Sequence, residues 1–153
     1  MHGPMNNTPA LLNDLIEILK DGQEGFRASA TESQSSQLKT TLSEYSLQRS
    51  KFAGELQSLA HSLGEKDPAN SGSVSGALHR GWIGLKTALA SRNDHAILAE
   101  CERGEDVAVA AYRKALETAT LPADIRATLQ TQLAAIEAAH NRVRSLRDAS
   151  APK

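Results

Sequence analysis

Four polar residues interrupt otherwise apolar helical stripes in this chain: Gln23, Arg49, Glu105 and His140. Glu105 has the sharpest chemical consequence. Leu98, Cys101, Glu105, Ala108, Tyr112, Ala115 and Ala119 recur three and four residues apart, the spacing of one helix face. A carboxylate in the middle of such a face is expected to be buried, and burying an ionised carboxylate alone is costly. It needs a proton, a cationic partner or a metal. His140 supplies the second clue, because Glu137 stands one turn before it. Such an i, i+3 carboxylate–imidazole pair reaches one point between helices, the arrangement used by carboxylate-bridged metal bundles.

Two chemistries fit these residues. In the first, Arg49 neutralises Glu105, while Gln23 and His140 complete the hydrogen bonds of a buried polar cluster, and no cofactor is expected. In the second, Glu105, Glu137 and His140 hold a single iron or manganese ion, with water or Glu24 as a further ligand. That would make the protein a mononuclear metal binder or an oxidoreductase. Arg49 discriminates between them, because a guanidinium beside Glu105 repels a metal and competes for the carboxylate. The first reading is the expected one: a non-catalytic protein with a buried polar cluster.

Other reactive residues have plainer readings. His79-Arg80 shows no nucleophile with its own base beside it. His61 and His95 fall near helix ends. Tyr45 and Tyr112 lie on inward stripes, where a core tyrosine finds a hydrogen-bond partner. Arg142, Arg144 and Arg147 suit the negative end of a last helix. There is no glycine-rich phosphate loop, Cys-x-x-Cys pair or Ser–His–Asp arrangement.

The elements that must position these groups are helical. The chain has 153 residues, enough for one domain with a real core. Aromatic residues make up 3% of it, and no run alternates with period two. Thr8 and Pro9 open helix A, which runs to about Ala30 on a stripe of Leu12, Leu15, Ile16, Leu19, Gln23, Phe26 and Ala30. Gly22 and Gly25 weaken it locally or admit a close neighbour. Helix B runs from about Gln37 to Leu63 and ends at Gly64. A loop at 65–73 precedes a shorter helix from about Val74 to Ala90, anchored by Trp82, the single tryptophan. Helix C starts at Asn93 or Asp94 and runs to about Thr120. Helix D spans Ala123 to Arg147, on a stripe of Leu129, Leu133, Ile136, His140, Val143 and Arg147. Residues 1–7 are expected to be disordered, 8–147 to form the domain and 148–153 to fray.

Short A–B and C–D links with a long B–C connection describe an all-α, up-down-down-up bundle of the ferritin-like class, its short helix crossing between B and C. A plain up-down-up-down bundle with an appended helix is the alternative. In the crossover order the four interruptions lie within roughly 10 Å of one depth.

Several stretches carry a family resemblance: LLNDLIEILKDGQEGF, YSLQRSKFAGEL, GALHRGW, HAILAECERGED and the EAAH of helix D. Together they resemble a bacterial family of ferritin-like four-helix-bundle proteins of unestablished function, distant from the rubrerythrin and bacterioferritin types. The resemblance spans about Leu11 to Arg147 and implies the ferritin-like fold without an activity. Stress adaptation is the role that relatives of the fold suggest. Metal-binding members of the wider superfamily carry a carboxylate on helices A and C and Glu-x-x-His on B and D. Here helix B offers Arg49 and Phe52 at those positions, and helix A offers Gln23 or Glu24. Half of a dinuclear site is missing.

Charge and composition narrow the classes further. With 17 basic and 18 acidic residues, the chain lacks the basic excess of a general nucleic-acid binder. One cysteine, Cys101, excludes an intramolecular disulfide and suits a reducing compartment. MHGPMNNTPA does not read as a signal peptide, and no window is apolar enough to span a membrane. The expectation is a cytoplasmic protein of unknown partner that contacts neither nucleic acid nor membrane and forms a homo-oligomer if it self-associates. A further option is a partner-binding module built on the Trp82 helix, if that helix leaves its apolar side uncovered.

Overall fold

The computed structural model describes residues 8–64, 80–118 and 120–150, and all its regular elements are helical. The long helices are α1 (Thr8–Glu32), α2 (Ser36–Ser62), α4 (Asp94–Leu116) and α5 (Ala123–Ala149). A 3₁₀ turn at Arg80–Trp82 and the short α3 (Leu85–Ser91) precede α4. Among the described residues no helix is long and apolar enough to cross a membrane.

Local chemistry sets the helix ends. Ser35 caps α2 by accepting the Leu38 N–H at 3.3 Å. Gly64, at φ +96°, stops it just beyond the C-cap residue Leu63. Asn93 caps α4 by accepting the Ala96 N–H. That helix ends at Leu116 rather than near Thr120. Arg126 of α5 donates to the Leu116 carbonyl at 2.8 Å and to the Thr118 carbonyl at 2.6 Å, and so satisfies terminal acceptors that a longer helix would have used. α5 continues to Ala149, two residues past the expected end. Residues 1–7 and 151–153, expected to be disordered or frayed, lie outside the described residues.

Asp94 fixes how the helices run. Its carboxylate accepts the Gln34 N–H at 2.7 Å and the Ser35 N–H at 3.1 Å, which pins the start of α4 to the α1–α2 link. Hence α1 runs up, α2 and α4 run down, and α5 returns up. α1 packs chiefly on α2, and α4 on α5, while α1 and α4 join the two pairs.

The connection to α4 differs from the expected continuous helix. Its 74–79 part lies outside the described residues. From 80 onward it is a 3₁₀ turn, a bend at Ile83-Gly84 and a seven-residue helix. The bend follows the packing. A methyl group on Gly84 would fall 2.6 Å from Glu100 Oε1, and one on Gly81 would fall 2.8 Å from Val107 Cγ2. The backbone therefore lies almost directly on α4.

Two apolar clusters fill the bundle. One gathers Leu12, Ile16, Leu19, Phe52, Leu56, Tyr112, Ile125, Leu129 and Ile136. The other gathers Phe26, Leu38, Leu42, Ile97, Leu98, Cys101 and Val143. Between them, on α2 and α4, stand Arg49 and Glu105.

Candidate functional site: a buried ion pair and an aromatic strap

Arg49 and Glu105 are 1% and 0% exposed. They meet in a two-pronged ion pair: Arg49 Nη1 donates to Glu105 Oε1, and Nη2 donates to Oε2 at 2.7 Å. Such fork-to-fork geometry is the strongest form of the interaction and uses both carboxylate oxygens. Arg49 Nε donates to Gln48 Oε1 at 3.1 Å. The guanidinium carbon lies 5.1 Å from the centre of the Phe26 ring, so an aromatic face also receives the cation.

Small residues make room for this pair. Gly22 faces it from α1, where an added methyl group would sit 3.6 Å from Arg49 Cγ. On α5 the inward face carries Ala139, 2% exposed, between Ile136 and Val143. The expected members Gln23 and His140 each follow these residues by one, which turns them about 100° around their helices. Gln23 is half-buried. Its backbone carbonyl accepts from Ser46 Oγ, and its side-chain oxygen is buried without a hydrogen-bond partner among the described residues. It does not join the pair. Neither does His140, whose Nε2 lies 2.6 Å from Asp106 Oδ1 in an open groove between α4 and α5.

The expected metal ligands are likewise dispersed. Glu137 lies in the same groove and binds Arg113 at 2.6 Å. Glu24 is exposed and binds Arg27 at 2.8 Å, an attraction that holds its carboxyl below the usual range. Glu105 is committed to Arg49. Among the described residues no three His, Cys, Asp or Glu side chains converge as a metal site requires. Glu105, Glu137 and His140 thus stand apart in this structure: the first faces Arg49, and the other two line the groove between α4 and α5. α5 turns Ile125, Leu129, Gln132, Ile136, Ala139 and Val143 inward, not the stripe through Leu133 and His140.

That rotation brings in a residue the stripe reading overlooked. Gln132, 1% exposed, accepts from the Tyr112 hydroxyl at 2.7 Å. It donates to Glu55 Oε1 at 2.8 Å and to the Phe52 carbonyl at 3.3 Å. Its signal was present, since Ile125-Leu129-Gln132-Ile136-Ala139-Val143 alternates four and three. Burial pushes the Tyr112 hydroxyl far above its ordinary pKa. Burial also raises the Cys101 thiol from 9.0 to about 12, against a smaller opposing effect of its 3.4 Å contact with Ser29 Oγ. Both groups are neutral core members and neither is poised as a nucleophile.

The connection before α4 reaches this region through Trp82. Its indole lies between α1 and α4 at two glycines. A methyl group on Gly25 would fall 2.4 Å from Trp82 Cε3, and one on Gly104 would fall 2.2 Å from Cε2. Only glycine admits the ring at both places. The indole meets Phe26 edge-on, with centroids 5.4 Å apart and planes at 77°. Phe26 also contacts Tyr45 at 5.5 Å. Trp82, Phe26, Arg49 and Glu105 thus form one continuous array from the surface strap to the core. Trp82 itself packs on the bundle, while Ile83 beside it is 74% exposed and residues 74–79 of the expected docking helix lie outside the described residues.

Arg144 and Arg147 do more than complement a helix end. Arg144 Nε binds Glu102 Oε2 at 3.1 Å, and Arg147 Nη1 binds Glu102 Oε1, which ties the end of α5 to α4.

The array draws on four of the sequence stretches that carry the family resemblance. LLNDLIEILKDGQEGF supplies Gly22, Gly25 and Phe26, and YSLQRSKFAGEL supplies Arg49. GALHRGW supplies Trp82, and HAILAECERGED supplies Gly104 and Glu105. No curated protein matches the chain. Residues 7–118, through the end of α4, match the sequence profile of a family described as "Domain of unknown function (DUF2383)", and to that family the chain belongs.

Proposed function

We propose that this protein is a non-catalytic, ferritin-like bundle that works by binding, its ancestral kind of metal centre replaced by the Arg49–Glu105 pair. The observation that carries this reading is the pair's geometry. Both carboxylate oxygens of a fully buried glutamate are taken by one guanidinium, at the depth where metal bundles gather their ligands. A fixed positive charge there opposes a metal ion, and no nucleophile with an activating base stands beside the pair among the described residues. The run of helices up, down, down and up supports the ferritin-like assignment.

The test is the metal content of untagged protein, purified without chelator and challenged with Fe(II), Mn(II) and Zn(II). The expected result is no stoichiometric metal in the wild type, with Glu105→Gln chiefly lowering thermal stability. About one metal ion per chain, lost in both Glu105→Gln and His140→Ala, would overturn the proposal in favour of a mononuclear iron or manganese protein.

A further inference from the structure

We propose that the slot between α1 and α4 is a binding site for a neutral, flat aromatic molecule of indole size, which the chain fills with its own Trp82. The walls are the Cα positions of Gly25 and Gly104, where a single methyl group would overlap the ring. The inner end is the Phe26 ring, set edge-to-face against the indole. Walls of glycine and an aromatic ring select a thin, apolar, planar guest.

Apart from the close backbone approaches to α4 at Gly81 and Gly84, the strap carrying this internal ligand is lightly fastened. Between Gly81 and Ser91, Gly81 and Ala88 are buried, Trp82, Gly84, Leu85 and Leu89 are half-buried, and the other five residues are exposed. Ile83, next to Trp82, is 74% exposed. A segment with so few buried apolar contacts opens locally at lower free energy than the helices it crosses. Opening withdraws the indole and leaves a ring-shaped vacancy, which a free aromatic then contests with Trp82. Its apparent affinity is reduced by the fraction of time the slot is empty. Because Phe26 also receives the Arg49 guanidinium, occupancy of the slot is felt one ring away at the buried ion pair.

Indole is the probe, titrated by calorimetry and by thermal unfolding into the full chain and into Trp82→Ala. The Trp82→Ala chain is expected to bind a single indole, to gain thermal stability from it, and to bind at least about tenfold tighter than the wild type. Trp82→Ala combined with Gly104→Leu fills the slot and is expected to lose binding while keeping its helical circular dichroism. A folded Trp82→Ala chain that ignores indole overturns the proposal, and so does binding that survives Gly104→Leu. Should Trp82→Ala fail to fold, hydrogen exchange on the wild type decides. Amides of 85–91 should exchange through local opening, faster than those of α1 and α4, and faster still with indole. Exchange at the rate of α1 and α4, indifferent to indole, overturns the proposal. Indole binding and metal content are separate readings, so either can fail alone.

Discussion

Glu105 and Asp106 are adjacent on α4, yet Glu105 is 0% exposed and locked to Arg49 of α2, while Asp106 is 62% exposed and meets His140 across an open groove. One residue of helix is about 100° of rotation. That turn separates a charge whose partner is indispensable from a charge that water and salt can replace. The two sites also differ in their surroundings. Around Arg49 and Glu105 stand Gly22 and the Phe26 ring, so neither charge has an alternative to the other. The groove between α4 and α5 is lined by Asp106, Arg113, Glu137, His140 and Arg144, an alternating set in which each member can exchange partners or turn to solvent. A buried pair enforces one arrangement of helices, whereas an exposed set tolerates several.

The largest test of that contrast is to strand one partner. Arg49→Met or Glu105→Leu leaves an uncompensated buried charge, and each is expected to cost about 3–5 kcal/mol in denaturant unfolding. The double variant is expected to recover most of the loss, because two apolar side chains need no partner. A double variant as unstable as the singles would mean that the pair contributes net stability beyond mutual satisfaction.

Alkaline pH probes the same core without touching the pair. The Cys101 thiol is held at about 12, above its ordinary 9.0. The folded chain therefore keeps a proton that the unfolded chain has released, so stability falls as pH rises from about 9 towards about 12. Tyr112 acts in the same direction. Cys101→Ala is expected to flatten part of that decline in urea midpoints. An unchanged slope would assign the decline to Tyr112 and Tyr45, which burial raises as well.

Tyr112→Phe tests the second polar connection, between α4 and α5. Losing the hydroxyl leaves Gln132 Oε1 without its donor, and about 1–3 kcal/mol is expected to go with it. Gly22→Ala should be neutral or gain up to about 1 kcal/mol, since the methyl group finds ordinary contact with Arg49 and alanine favours helix. Asp106→Asn is expected to be the smallest change, about 0–1 kcal/mol, and raised salt should remove what difference there is. A larger loss would show that the groove, too, depends on one fixed arrangement.

Much of this was written in one dimension. The α4 stripe was legible because every member from Leu98 to Ala115 is apolar, aromatic or small except Glu105, so the phase of the helix is unambiguous. On α2 the spacing of Leu38, Leu42, Arg49, Phe52 and Leu56 was legible in the same way, although Ser46 and Ala60 are buried where Tyr45 and Leu63 were expected. On α1 and α5 the phase was ambiguous. Gly22 and Ala139 carry almost no hydrophobic signal, and Gln23 and His140 next to them look like the residues that matter. Reading polarity instead of size misplaced single positions, Gln23 for Gly22 on α1 and Leu133 and His140 for Gln132 and Ala139 on α5, while the rest of the α1 stripe and Leu129, Ile136 and Val143 are buried as expected. The strap was harder still, since Val74, Leu78, Trp82, Leu85 and Leu89 have helical spacing, and only contact with α4 breaks the helix at Gly84.

The sequence by itself determined the four long helices, the cap at Asn93, the stop at Gly64, and the need of Glu105 for a partner. Those follow from local backbone chemistry and from the cost of burying a charge, which act wherever the residue sits. Tertiary structure alone decided which partner Glu105 takes, that Gly22 rather than Gln23 faces it, and that Gly25 and Gly104 exist to admit Trp82. Those depend on how four helices rotate against one another, and rotation is settled by volume. Arg49 and Trp82 are bulky, and α1 and α4 turn Gly22, Gly25 and Gly104 towards them.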